Sequence, residues 1–62
     1  MEFADKVKMV RDKIKISQEK MAQLLGVSFS TVNRWEQGKA LPSYMAIQKF
    51  EALCKEKNII FD

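Results

Sequence analysis

The sequence predicts a compact, all-α domain of four helices, and three observations carry that prediction. Apolar residues recur at helical spacing in four separate stretches. Serines stand before three of them, Ser17, Ser28 (or Ser30) and Ser43, where a hydroxyl can accept from the unpaired N–H groups of a first turn. The chain's two glycines, Gly26 and Gly38, close two of them, as expected of residues that end helices in the left-handed region. At 62 residues the chain has room for one domain, taken as 1–62.

The first helix is expected over about Glu2 to Lys13. Phe3, Val7, Val10 and Ile14 form one amphipathic stripe with charge on the other side, and Arg11 lies at its flank. The second covers Gln18 to Leu25, with Ser17 as cap, Glu19 at the positive dipole end, and Met21, Leu24 and Leu25 facing inward. The third runs to about Gln37. At helical spacing Val32, Trp35 and Glu36 share one side of it, while Ser30, Asn33, Arg34 and Gln37 fall on the other. The fourth begins at Pro42-Ser43, with Ile47, Phe50, Leu53 and Cys54 as its buried stripe and Lys55, Glu56 and Lys57 as a solvated end. Met1, Met9, Met21 and Met45 read as packing residues, and Cys54 as a small core hydrophobe. Ile59, Ile60 and Phe61 are too few for a helix and rich in β-branched character, so the tail either folds back over the core or forms a short strand.

Composition excludes several classes of function. Hydrophobic residues make up 47% and charged residues 31%, the balance of a soluble globular chain. No run of apolar residues is long enough to span a membrane, and the start MEFADKVK, without an apolar signal core, reads as a native N-terminus. One cysteine gives no disulfide framework, which suits a reducing cytoplasm. With no histidine, the usual acid–base and triad chemistries have no base, and a lone thiol cannot hold zinc. No enzyme, metal or cofactor is expected. The net charge is +3, and the excess lies within residues 1–39, whereas residues 40–62 balance to zero. That asymmetry suits a polyanion partner.

Two short helices joined by Gly26-Val27-Ser28 describe a helix-turn-helix over residues 18–37. Ala22 allows close helix approach, Gly26 supplies positive φ in the turn, and Val32 plugs the second helix against the first. The outward face of that second helix lacks the Lys/Glu pairs of an ordinary solvated helix and is rich in hydrogen-bonding groups.

The run ISQEKMAQLLGVSFSTVNRWEQGKALPS resembles the phage repressor/Cro-like family of DNA-binding domains, also called the xenobiotic-response-element family. The resemblance covers residue 5 to about 57. It implies a lambda-repressor-like domain of four to five helices, acting as a homodimeric, cytoplasmic transcription regulator on a palindromic operator in double-stranded DNA. Only four helices fit here, so the usual fifth is missing or replaced by the tail. By the same resemblance, Gln18 matches a phosphate-binding position, and Ser28, Phe29, Ser30, Asn33 and Arg34 match recognition-helix positions. Gln37 and Lys39 match positions beside the sugar–phosphate backbone, while Arg11 and Glu36 match an ion pair.

Chemistry then suggests roles. Arg34 suits guanine O6/N7 or a phosphate, Asn33 an adenine, and Phe29 a thymine methyl. Ser28, Thr31, Gln18 and Lys39 suit phosphate positioning. Trp35 points inward and reads as core. The tail, Ile59, Ile60 and Phe61, is the expected dimer contact if it pairs with its two-fold mate. The rival expectation is a protein-interaction module of the same fold, such as an antitoxin or anti-repressor.

Overall fold

Serines set three of the four helix starts. The structure, a computed structural model describing residues 1–61, contains α1 (Phe3–Ile14), α2 (Gln18–Leu25), α3 (Phe29–Glu36) and α4 (Tyr44–Glu56). Ser17 Oγ accepts from the Lys20 N–H at 3.0 Å, Ser28 Oγ from Thr31 at 3.2 Å, and Ser43 Oγ from Ala46 at 3.2 Å. The cap of α3 is therefore Ser28 and not Ser30.

All four helices stop by one device, although only two have a glycine to do it. A residue in the left-handed region follows each helix: Lys15 (φ 56°), Gly26 (φ 69°), Gly38 (φ 73°) and Asn58 (φ 58°). The next N–H then reaches back five residues, from Ile16 to Arg11 O, Val27 to Ala22 O, Lys39 to Arg34 O, and Ile59 to Cys54 O, at 2.8–3.1 Å. This Schellman-type closure satisfies carbonyls that a helix end leaves free. Lys15 carries the steric cost of that conformation, about 1 kcal/mol or more for a residue with a Cβ.

Behind those ends lies a single core. Val7 and Val10 of α1, Met21, Ala22 and Leu25 of α2, and Val32 and Trp35 of α3 meet Ala46, Phe50, Leu53 and Cys54 of α4. Phe3 meets Trp35 and Phe50 edge to face, with ring centroids 5.3 and 5.1 Å apart. Such pairs add about 0.5–1.5 kcal/mol each beyond area burial.

Several expectations need correction. Leu24 is 44% exposed, because Met21, Ala22 and Leu25 form the seam of this two-turn helix and leave Leu24 at its flank. In α4 the fully buried stripe begins at Ala46, while Ile47 is only half-buried. Met1 and Met45 are exposed, so neither packs a core. The tail forms no strand, and no fifth helix is present among the described residues. Instead it folds back: Ile59 is buried, and Phe61 stacks on Phe50 at 6.3 Å with Lys6 Nζ 5.3 Å over its ring. Two apolar side chains contacting the core outweigh an unpaired edge, and Ile60, pointing away, stays 82% exposed.

Candidate nucleic-acid interface

Helix α3 is held from beneath and open above. Val32 and Trp35 are buried against α1 and α2, and Ala22 lets α2 approach closely. The opposite side presents Phe29 (49% exposed), Ser30, Arg34 and Gln37, with Lys39 just beyond the helix; all are exposed. Thr31 and Asn33 are half-buried between the two sides. Ser28, at the start of this face, bonds Thr31 Oγ1 at 2.9 Å as well as capping the helix. The residues expected on the recognition helix thus lie on one rigid element whose inner face is fixed by core packing.

Among the described residues Glu36 is the one charged group that is buried, at 8% exposure. Such a carboxylate needs a cation and further donors. Arg11 supplies a two-pronged contact, Nε to Oε2 at 2.7 Å and Nη2 to Oε1 at 3.0 Å, while its Nη1 donates to the Ile16 carbonyl at 3.1 Å. The ion pair expected from the sequence is therefore present. Burial pushes the Glu36 carboxyl up, but hydrogen bonds from Arg11 and Gln18 and the charges of Arg11 and Lys8 outweigh it. The net direction is downward, and Glu36 stays ionised at neutral pH. The hydrogen bond to Glu36 likewise raises Arg11 against the opposing effect of burial.

A chain of side-chain amides continues from that carboxylate to the surface. Gln18 Nε2 donates to Glu36 Oε1 at 3.1 Å, Asn33 Nδ2 donates to Gln18 Oε1 at 3.1 Å, and Gln37 Nε2 donates to Asn33 Oδ1 at 2.7 Å. None of these links was read from the sequence, although Asn33 and Gln37 are four apart on one face. The others join residues distant in sequence. The Ile16 carbonyl as an acceptor for Arg11 was missed as well, because nothing in the sequence shows the left-handed turn at Lys15 that presents it.

Elsewhere, Lys8, Arg11 and Lys15 line a cleft at the end of α1. An apolar groove of about 450 Å³ lies between α1, α4 and the tail, walled by Phe3, Phe50, Cys54, Ile59 and Phe61. No grouping of His, Cys, Asp and Glu able to hold a metal occurs among the described residues, and no helix among them is long and apolar enough to cross a membrane.

Comparison with known proteins gives one finding. A family model described as helix-turn-helix matches residues 7–57, from the first core valine through the end of α4. No curated protein and no solved structure gives a match.

Proposed function

Because this chain belongs to the helix-turn-helix family of phage repressor/Cro-like DNA-binding regulators, we propose that it binds double-stranded DNA sequence-specifically and represses transcription from a palindromic operator. The observation that carries the reading is the outer face of α3, where Phe29, Ser30 and Arg34 stand exposed on a helix locked from behind. Residues 28–37 enter the major groove, whose width admits a helix. Arg34 has no partner within the described residues and is free for guanine O6/N7 or a phosphate, and Phe29 is placed for a thymine methyl. Ser30 lies beside them. Gln18, Ser28, Thr31, Gln37 and Lys39 position the backbone.

The protein acts as a cytoplasmic homodimer of single-domain chains. Exposed Ile60 beside the tail groove supports a second copy docking there, and a helix-turn-helix dimer meets half-sites about 34 Å apart. The test is selection of bound duplexes from a random pool at about 150 mM salt, where non-specific binding is weak. A palindrome should emerge. Arg34→Ala should lose roughly 1–3 kcal/mol on it, and Lys39→Ala should mainly lower the salt slope. No enrichment would refute the reading. It would favour the second one, a protein-interaction module such as an antitoxin or anti-repressor, to which exposed Leu41, Tyr44 and Met45 lend an apolar surface.

A further inference from the structure

We infer that Asn33 positions Gln18 against the DNA backbone and does not read a base, within an amide chain whose direction is set by the carboxylate of Glu36. The inference rests on the DNA-binding reading above.

A primary amide has one donating and one accepting end, and its orientation follows from its neighbours. Glu36 is ionised and can only accept, so Gln18 must turn its nitrogen toward it. That leaves Gln18 Oε1 facing Asn33, where only a donor can meet it, and Asn33 must present Nδ2. Its Oδ1 then faces Gln37, which must in turn present Nε2. Reversing any one amide would set two carbonyl oxygens or two N–H groups face to face. One buried charge thus fixes the polarity of three side chains drawn from two helices.

The consequence for recognition is specific. Bidentate readout of adenine uses both polar ends of an asparagine. Both ends of Asn33 are already engaged by neighbouring side chains, the nitrogen with Gln18 at 3.1 Å and the oxygen with the exposed Gln37 at 2.7 Å, and Asn33 is half-buried. Gln18, by contrast, is held at the first residue of α2 with one Nε2 hydrogen directed at Glu36 and the other left over. It stands beside the unpaired N–H groups of that first turn, which favour an anionic oxygen. Asn33 therefore acts through Gln18.

Two measurements test this. In the free protein, the side-chain NH₂ resonances of Gln18, Asn33 and Gln37 should all move in Glu36→Gln. If that variant does not fold, Gln18→Ala should still shift those of Asn33 and Gln37. Unchanged Asn33 and Gln37 signals would overturn the chain. On DNA, Asn33→Ala should select the same duplex sequence as wild type, bind it about three- to tenfold more weakly, and add less than about twofold in a Gln18→Ala background. A changed base preference at one position would make Asn33 a reader, and losses that multiply would show it acting independently of Gln18; either result overturns the positioning role. If the unaltered protein enriches no duplex, the DNA reading and the positioning role fall together, while the resonances judge the amide chain separately.

Discussion

Replacing Arg11 by Met keeps the aliphatic stem in place and removes the guanidinium. Glu36 would then sit at 8% exposure with Gln18 as its one remaining donor, and the Ile16 carbonyl would lose its bond from Nη1. Breaking a fully buried pair costs about 3–5 kcal/mol; here the Arg11 side chain is 25% exposed, so water can partly replace it and about 2–4 kcal/mol is expected. A domain of this length has about 3–9 kcal/mol in all, so the variant should lose about a fifth of its stability or more. The single tryptophan, Trp35, is 2% exposed and reports urea unfolding by fluorescence.

The pH dependence gives a second check. In the native protein the depressed Glu36 carboxyl contributes stability above the unfolded value of about 4.3, and this is lost as pH falls through the folded value. In Arg11→Met burial prevails and the carboxyl is raised. It then costs stability at neutral pH and recovers it on protonation in acid. The gap between the two proteins should therefore be widest near pH 7 and close toward pH 3. A loss below about 0.5 kcal/mol, or a gap independent of pH, would refute the reasoning.

Four further outcomes are expected. Lys15→Gly should stabilise the fold by roughly 0.5–1 kcal/mol, since φ 56° suits glycine, and a destabilised variant in urea titration would contradict the left-handed ending of α1. Gly26→Ala and Gly38→Ala should each lose about 1–2 kcal/mol by the same titration. The added Cβ at Gly26 also meets Lys49 Nζ at 2.9 Å, but that flexible end can move, so the two losses should differ little. Burial, with the nearby charge of Glu51, pushes the Cys54 thiol up despite Lys6, so a disulfide reagent should modify the native protein slowly and the urea-unfolded chain at the ordinary rate; equal rates would place the thiol at the surface. For the proposed dimer, Ile60→Glu is a cleaner probe than removing the tail, because Ile60 is 82% exposed whereas Ile59 and Phe61 hold the core. Sedimentation equilibrium should show association lost with stability unchanged.

The legible parts of the fold were those with local chemistry. Helix α2 was readable to the residue because Ser17 and Gly26 bracket it, and the inward face of α3 followed from the spacing of Val32, Trp35 and Glu36. The end of α1 shifted by one residue because Lys15, a residue with no preference for the left-handed region, does there what glycine does elsewhere. Leu24 was misplaced because a two-turn helix has too few residues to separate seam from flank by periodicity. On α3, residue types marked Ser30, Arg34 and Gln37 as exposed, but they also placed Asn33 there, and type alone could not reveal that it is half-buried and engaged at both ends. That depends on α2 and α3 bringing together residues 15 apart in the chain.

The aromatic cluster of Phe3, Phe50 and Phe61 joins the first turn of α1 to the last described residue. Helical proteins ordinarily open by fraying at their termini, one end independently of the other. Here loosening Phe61 uncovers Phe50, and loosening Phe3 uncovers both Phe50 and Trp35, so the two outermost segments open as one cooperative unit. Amide exchange at the start of α1 and at Ile59 should accordingly report a single shared opening event. The helix pair α2–α3 lies between those two clasped segments.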